Sequence, residues 1–290
     1  MSSKSPLVSV ICLCYNHEDY VVEAILSVLN QSYAAIELIV IDDASTDGSV
    51  AAIKSVLGKR EQFKLIALDE NVGNCKAFNI GWRRASGQYF IDLAADDILL
   101  PDRVEKGVTM LQKKGEGFGI HYCDAQLIDR NGKLLREHRS SNFYHAGAPE
   151  GLIFEQLLSK YFINPVTMMF SVEVLDRLGG YDETLAYEDF DFWVRSSKHF
   201  KYCYTAELLV VKRVLKGSHG RGQYQFKSSI LNSTYKVCLK AFDLCETKAE
   251  YEALTIRISY EQKRALFSFN WKTAINLYAL RLKVARRLAT

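Results

Sequence analysis

Short apolar runs alternate with helical patterns over the first hundred residues of the chain. Four runs rich in β-branched and aromatic residues predict buried strands, at residues 8–14, 37–41, 63–68 and 89–93. Apolar residues at helical spacing between these runs predict helices, over residues 19–29, 45–57 and 74–84. Because strand and helix alternate, we expect a mostly parallel sheet with right-handed crossovers and helices on both faces.

The pattern changes after Pro101, which suits the first turn of a helix. Asn131-Gly132 between two apolar runs predicts a β-hairpin. Further strands are expected at residues 119–124, 165–171 and 202–211, and short helices at residues 154–158, 172–178 and 188–198. We therefore predict an α/β fold, with a Rossmann-like mixed, mostly parallel sheet flanked by helices in residues 1–220 and a helical C-terminal annex in residues 221–290.

Two pairs of adjacent aspartates follow predicted strands. Asp42-Asp43 ends the second strand and Asp96-Asp97 ends the fourth, so both pairs should lie at the carboxyl edge of the sheet, where open α/β sheets bind ligands. Hard divalent cations such as Mg²⁺ and Mn²⁺ take oxygen ligands together with substrate phosphates. One interpretation is a site for a nucleotide and a metal ion; the other is that Asp96 or Asp97 caps the helix near Pro101.

The two commonest nucleotide-binding fingerprints are absent from the sequence. No Gly-x-Gly-x-x-Gly follows the first predicted strand, and no Gly-Lys-Ser/Thr phosphate loop occurs anywhere. The chain is therefore predicted to be neither a dinucleotide-binding protein of that type nor a P-loop NTPase.

Composition narrows the class of protein further. The chain has 290 residues, of which 48% are hydrophobic, which is enough for one large domain with a smaller annex. The net charge of +3 is too small to indicate a nucleic-acid partner. The sequence has neither a run of 18 apolar residues nor a segment resembling a signal peptide, and its seven cysteines are scattered. Together these features predict a cytoplasmic location with reduced thiols.

Five segments resemble, in order, the landmarks of one enzyme family. They read VSVICLCYN, ELIVIDDASTDGS, NVG with KAFNIGWRRASGQYF, AADDILLPDRVE and GGYDETLAYEDFDFWVR. The set resembles the inverting glycosyltransferases of family 2, which have the GT-A fold, over about residues 6–215. The resemblance implies transfer of a hexosyl or N-acetylhexosaminyl group from a nucleotide sugar, expected to be a UDP-sugar. The acceptor would be a hydroxyl of a glycan or lipid-linked molecule in bacterial surface polysaccharide synthesis.

The resemblance also implies roles for single residues near the acidic pairs. Tyr15 and Asp43 would border the nucleotide base, with Asp43 as the partner of a uracil ring nitrogen and Asp42 supporting that loop. Asp96 would face the ribose or the metal, and Asp97 would bind the Mn²⁺ or Mg²⁺ that carries the diphosphate. Without the resemblance, a second interpretation of Tyr15 is that it only packs against the rest of the protein.

Two further residues gain roles by the same resemblance. Asp189 matches the catalytic base, a carboxylate that takes the proton of the acceptor hydroxyl as its oxygen attacks the anomeric carbon from the face opposite the diphosphate. Asn79 matches an asparagine of the nucleotide site. Taken alone, Asp189 is equally an acidic residue of a first helical turn, Asn79 a turn or capping residue, and Trp193 a core residue rather than a sugar platform.

Three positions depart from the family pattern. Ala94 stands where many relatives carry a further acid, so metal binding would rest on Asp97 with water and phosphate oxygens. Phe78 stands where many members have an arginine, and Lys76 is a candidate substitute. The family's histidine near the closing loop has no clear counterpart; His219 lies nearby, as a diphosphate contact or as a solvated loop residue.

The last thirty residues have a basic amphipathic pattern. Residues 262–290 contain no acid, and their basic residues are Lys263, Arg264, Lys272, Arg281, Lys283, Arg286 and Arg287. Trp271, Ile275, Tyr278 and Leu282 share one helical face. The pattern is typical of a helix in peripheral contact with the anionic inner face of a membrane. A helical annex packed on the main domain, with a solvated basic edge, explains it equally well.

Two other classes of protein remain open at this point. A sugar nucleotidyltransferase shares the alternating pattern, but it needs a glycine- and lysine-rich loop after the first strand, where LCYNHED stands. A non-catalytic module that binds nucleotide sugars, or a scaffold, would keep the fold without needing Asp189 as a base.

Overall fold

One mixed β-sheet runs through the first part of the molecule. The computed structural model describes residues 5–57, 63–215 and 222–289. The strands are β1 (Val8–Cys14), β2 (Ile36–Asp42), β3 (Phe63–Ala67), β4 (Tyr89–Ala94), β5 (Ile98–Leu99), β6 (Phe118–Ile128), β7 (Leu134–His138), β8 (Met169–Ser171) and β9 (Lys201–Arg213). Their order across the sheet is β3-β2-β1-β4-β8-β6-β9-β5, and β7 pairs with β6.

The first four strands form the parallel half of the sheet. β1 lies between β2 and β4, pairing in register from Val8 onwards with both, and β3 pairs with β2. Side chains on both faces of β1 are buried, which is why its sequence is a continuous apolar run rather than an alternating one. The predicted strand and helix order of this half is confirmed, and the strands' carboxyl ends share one edge.

The second half of the sheet is mixed, as predicted. β8 is antiparallel to β4 and β6, whereas the long strands β6 and β9 run parallel. The predicted hairpin is confirmed, with residues 129–133 joining β6 to β7. The strand β5 was not predicted; it pairs antiparallel with Val210 and Val211 of β9. A two-residue strand is too short to show periodicity in the sequence, so it is recognised only from its pairing with β9.

Ten α-helices have ends within the described residues. They are α1 (Val21–Leu29), α2 (Ser49–Leu57), α3 (Asn74–Trp82), α4 (Arg103–Lys114), α5 (Phe154–Ser159), α6 (Val172–Leu178), α7 (Asp189–Ser197), α8 (Ser229–Leu244), α9 (Lys248–Phe267) and α10 (Trp271–Ala289). The helix expected to begin at Pro101 begins at Arg103, after a turn. Its N-cap is Asp102, so the idea that Asp96 or Asp97 caps this helix is wrong.

The chain divides into two compact units, but the division differs from the predicted one. The first unit comprises residues 1–151, 163–181 and 201–214; the second comprises residues 152–162, 182–200 and 215–290. The predicted boundary, between residues 220 and 221, lies outside the described residues, and two earlier segments, residues 152–162 and 182–200, join the C-terminal helices. These segments carry α5 and α7, whose partners α8 and α9 come later in the chain.

The second unit is built around a buried arginine. Arg257 of α9 donates from Nε to the carbonyl of Leu158 at 2.9 Å and from Nη1 to Glu261 at 3.2 Å. Its guanidinium lies 3.6 Å from the ring centroid of Tyr161, and Tyr161 packs in turn against Trp193 with centroids 5.7 Å apart. Because a buried guanidinium is costly without partners, these contacts tie α5, α7 and α9 together.

Trp193 is buried, at 2% exposure, which confirms it as a core residue. All seven cysteines are buried. Within the described ranges, no helix is both long enough and apolar enough to cross a bilayer.

Close approach of α3 to the sheet requires a residue without a side chain at position 81. A Cβ on Gly81 would lie 2.7 Å from Cγ2 of Ile11. We predict that Gly81→Ala lowers the free energy of unfolding by about 1–3 kcal/mol through overpacking, measured by urea titration. Combining it with Ile11→Ala should cost less than the sum of the two single changes; strict additivity would contradict the contact.

Candidate functional site

The acidic pairs lie side by side at the carboxyl edge of the parallel strands. The Asp43 N–H donates to the carbonyl of Cys14 at 2.8 Å, and the Ala95 N–H donates to the carbonyl of Leu13 at 2.9 Å. The ends of β2 and β4 are thus fixed on either side of the end of β1. Tyr15 follows β1 directly and is 46% exposed, so it is not a packing residue. The structure brings together every predicted site residue of this edge.

Asp43 is held by the start of α3. Its Oδ1 accepts the Val72 N–H at 2.7 Å and its Oδ2 accepts the Gly73 N–H at 3.0 Å, while Asn71 donates to the Asp43 carbonyl at 3.2 Å. A carboxylate oxygen has two acceptor positions. Asp43 can therefore be fixed by these amides and still accept a hydrogen bond from a ligand.

Asp42 is almost fully buried beside it. Its Oδ1 accepts the Ser45 N–H at 3.0 Å and so shapes the loop after β2. Its Oδ2 has no hydrogen-bond partner in the part of the chain that the structure describes. A buried oxygen without a hydrogen-bond partner is unfavourable in the protein alone. A hydrogen-bond donor on a ligand would satisfy this oxygen.

Asp97 carries the most perturbed carboxyl of the edge. It is 2% exposed, and its Oδ1 accepts the backbone N–H of Arg213 at 2.8 Å. Burial, followed by the neighbouring Asp96, raises the pKa of Asp97 to about 8, although Lys212 and Arg213 lower it. The nearby cations thus leave the negative charge of the pair incompletely balanced.

Arg213, at the end of β9, was missed by the sequence interpretation, which ended that strand at residue 211. Besides its backbone bond to Asp97, its Nε donates to the carbonyl of Asp96 at 3.2 Å. Its Nη2 donates to Glu23 at 2.6 Å, and the guanidinium lies 4.7 Å from the ring centroid of Tyr20. Arg213 therefore fixes both the backbone and one carboxylate of the acidic loop. The only sequence signal for Arg213 was the basic pair Lys212-Arg213 at the end of an apolar run.

The donor set at this edge fits a hard divalent cation with few protein ligands. Asp96 and Asp97 offer carboxyl oxygens, the ligand type that Mg²⁺ and Mn²⁺ prefer. Among the described residues, no group of three or more His, Cys, Asp or Glu could hold a metal ion. A cation here would take its remaining ligands from water and a diphosphate, in agreement with Ala94 replacing the family's further acid.

Asn79 is held inside the first unit. It is 1% exposed in α3; its Nδ2 donates to the carbonyl of Tyr181 at 2.9 Å, and its Oδ1 accepts the Tyr181 N–H at 2.9 Å. These paired bonds favour the structural interpretation over a nucleotide contact. Its neighbour Phe78 is buried and stacks on the Tyr181 ring, with centroids 4.3 Å apart, so this position belongs to the core. Lys76 is exposed on the same helix.

Asp189 belongs to the second unit and is the first residue of α7. Its Oδ1 accepts the Phe190 N–H at 2.6 Å. The next acid in the helix, Asp191, is buried and ion-paired with Arg195 and Lys240, both at 2.6 Å, so it is structural. The acidic first turn expected from the sequence is present, and it is compatible with a second role for Asp189. His219 lies outside the described residues.

The family's sequence profile, described as glycosyl transferase family 2, matches residues 9–179, which is more than half of the chain. The chain belongs to glycosyl transferase family 2. The match runs from β1 to α6 and includes both acidic pairs, which confirms the resemblance for the first four sequence segments; the fifth, which carries Asp189, begins where the match ends.

Named relatives of this family 2 chain come from several bacteria. An uncharacterised glycosyltransferase of Rickettsia typhi is 32% identical over 211 residues, covering 72% of this chain and 64% of that protein. A putative teichuronic acid biosynthesis glycosyltransferase, TuaG of Bacillus subtilis, is 32% identical over 173 residues, covering 60% and 65%. The matched part thus spans less than two thirds of either relative.

Solved structures confirm the GT-A fold of this family 2 chain. TarS residues 1–349 of S. aureus superposes with a TM-score of 0.70 at 15% identity, over 96% of this chain and 80% of that one. Mannosyltransferase PcManGT of Pyrobaculum calidifontis, in complex with GDP-Man and Mn²⁺, gives 0.66 at 19% identity, over 98% and 76%. TarS has also been solved with UDP and with UDP-GlcNAc.

The two interpretations of Asn79 predict opposite results. If it is structural, Asn79→Ala leaves two buried backbone groups of Tyr181 unpaired and lowers the free energy of unfolding by about 2–4 kcal/mol, while the folded variant keeps its affinity for UDP. Thermal unfolding and calorimetric titration measure the two quantities. Asn71→Ala, which removes one weaker bond, is the control. An Asn79 variant that melts normally but binds UDP weakly would restore the nucleotide contact.

Proposed function

We propose that this chain is an inverting glycosyltransferase that moves a sugar from a nucleotide sugar to a hydroxyl group. The observation that carries the proposal is the convergence of Asp42-Asp43 and Asp96-Asp97 at one edge of a GT-A sheet in a family 2 chain. The acceptor is a glycan or lipid-linked molecule of bacterial surface polysaccharide synthesis. TuaG, named for teichuronic acid biosynthesis, supports this class of product. The site of action is the cytoplasm, at the inner face of the membrane.

The donor is a UDP-sugar. Asp43 is held by two backbone amides with acceptor positions left over, which suits a uracil ring N–H, and the exposed Tyr15 borders the base. Asp42 supports the loop between them through Ser45. TarS binds UDP and UDP-GlcNAc in its solved complexes, which supports this choice, whereas PcManGT binds GDP-Man.

A divalent ion, Mn²⁺ or Mg²⁺, is held by Asp97 with Asp96 beside it. When bound, such an ion neutralises the diphosphate leaving group. Asp96 also faces the ribose. Arg213 keeps both acids in place through its bonds to Asp97 and to the Asp96 carbonyl. The Mn²⁺ in the PcManGT complex supports the proposed use of a metal.

Asp189 acts as the general base. Its carboxylate takes the proton of the acceptor hydroxyl, whose oxygen forms a bond to the anomeric carbon. The bond from that carbon to the diphosphate oxygen breaks at the opposite face, so the nucleoside diphosphate leaves and the configuration inverts. Neither a scaffold nor a sugar nucleotidyltransferase requires an acid in this role, which separates both alternatives from the proposal.

The metal role is tested with Asp97→Asn, which keeps an oxygen acceptor for the Arg213 N–H and removes the charge. We expect Mn²⁺ affinity to fall by more than tenfold, since loss of an outer-shell partner alone typically costs 10–100-fold. The readout is Mn²⁺-dependent stabilisation by UDP in thermal unfolding. Asp102→Asn, an exposed acid just beyond the same loop, should behave as wild type. Unchanged Mn²⁺ dependence in Asp97→Asn would remove the metal from Asp97.

The base is tested with Asp189→Asn. Turnover of a UDP-sugar should fall by about 10²–10⁴-fold, the usual contribution of general base catalysis, while UDP binding stays unchanged. Asp243→Asn, an exposed acid of α8 in the same unit, serves as the control. Full turnover in Asp189→Asn with intact nucleotide binding would move the base to another residue. Absence of transfer in the wild type with every UDP-sugar tested would favour the binding-module alternative.

A further inference from the structure

Helix α10 carries two apolar faces, and only one of them is packed. The packed face is buried in the second unit and consists of Ala274, Leu277, Leu280 and Val284. The other face consists of Trp271, Ile275, Tyr278 and Leu282, and between 44% and 66% of each side chain is exposed. The core of the unit is therefore complete without this second face. Packing of the annex does not explain these four residues.

The exposed apolar surface continues beyond α10. Leu266 and Phe267 at the end of α9 and Phe269 in the connecting turn are exposed, Phe267 by 72%. The Phe269 ring lies 6.0 Å from the Trp271 ring, edge to face. We call the residues Phe269, Trp271, Ile275, Tyr278 and Leu282 the apolar face; Leu266 and Phe267 lie close to it along the chain. Exposed apolar side chains scattered singly need no explanation, but a contiguous series typically marks an interaction surface.

Phe269 is exposed at a backbone position that favours glycine. It ends α9 with φ at 57°, its N–H donates to the Leu266 carbonyl at 3.2 Å, and the next N–H, of Asn270, donates to the Ala265 carbonyl at 2.9 Å. This is the hydrogen-bond pattern of a helix C-terminus that usually carries glycine in the left-handed conformation. Most of the Phe269 side chain is exposed in the isolated chain, so its burial does little to offset the cost of this backbone conformation.

The charges of the segment that carries the apolar face have one sign. Residues 262–290 contain no acid, and Lys263, Lys272 and Lys283 are exposed on α9 and α10. Lys272 directly follows Trp271 and Lys283 directly follows Leu282, so both lie beside the apolar face. A helix with an exposed apolar face flanked by lysine and arginine is typical of binding in the interface of an anionic bilayer.

We propose that the apolar face inserts into the headgroup region of an anionic lipid bilayer, with the flanking lysines on lipid phosphates. A second copy of the chain is the less suitable occupant. In a two-fold contact the same patch meets itself, so the basic residues of both copies would be brought together without an acid among residues 262–290 to balance them. The proposal stands independently of the chemistry at the acidic site, and it suits an acceptor carried on a lipid.

The test is flotation of the full-length chain with vesicles of phosphatidylcholine alone and vesicles containing phosphatidylglycerol. We expect binding to the anionic vesicles. Trp271→Ser with Ile275→Ser should weaken it by about tenfold or more, because two large apolar side chains leave the interface. Lys272→Glu with Lys283→Glu should weaken it at least as much, and only on anionic vesicles. Phe269→Gly should also weaken binding without lowering the melting temperature, because glycine favours that φ.

Leu135→Ser is the matched control, since Leu135 is a similarly exposed leucine on β7 of the first unit, and it should bind as wild type. Full binding by the Trp271/Ile275 variant, or equal binding to both kinds of vesicle, would overturn the proposal. So would a lipid-free dimer, seen by size-exclusion chromatography, that dissociates in the Trp271/Ile275 variant, because the apolar face would then be covered by a second copy.

Discussion

The burial of Asp97 is the constraint on which the candidate site depends. A carboxylate taken out of water beside another acid is unfavourable, as its raised pKa shows. The fold offsets part of that cost by bringing the end of β9 to the end of β4, where the Arg213 N–H meets Asp97. The mixed half of the sheet thus supports the acidic loop delivered by the parallel half.

The second unit also contains buried charged side chains that are stabilised by contacts within the protein. Arg257 and Glu261 are buried one helical turn apart in α9, and the guanidinium also contacts the carbonyl of Leu158 and the ring of Tyr161. Removal of one member of such a set leaves an uncompensated buried charge. The segment that carries Asp189 is packed in this unit, so the position of the proposed base depends on residues far from it in sequence.

Sequence pattern predicted most of the architecture and the location of the acids, and it failed for identifiable physical reasons. The parallel strands were predicted because burial on both faces makes their sequences continuously apolar. β5 and Arg213 were missed, since both are defined by a distant pairing partner and not by local periodicity. Asn79 stays a predicted ligand residue, since a motif records which residue is present and not whether its amide is engaged within the protein, here by Tyr181. The place of α5 and α7 in the second unit was missed because these helices pack against helices that come after them.

The hydrogen bonds that Asp43 accepts from the Val72 and Gly73 N–H groups fix this carboxylate to the start of α3. The segment between β3 and α3 therefore does more than connect two elements, because its length sets where two amides stand and hence where the carboxylate points. Gain or loss of a single residue in that segment would re-aim the acid without altering it. Under the role proposed for Asp43, a change in the length of this segment would alter the preference for one nucleotide base over another.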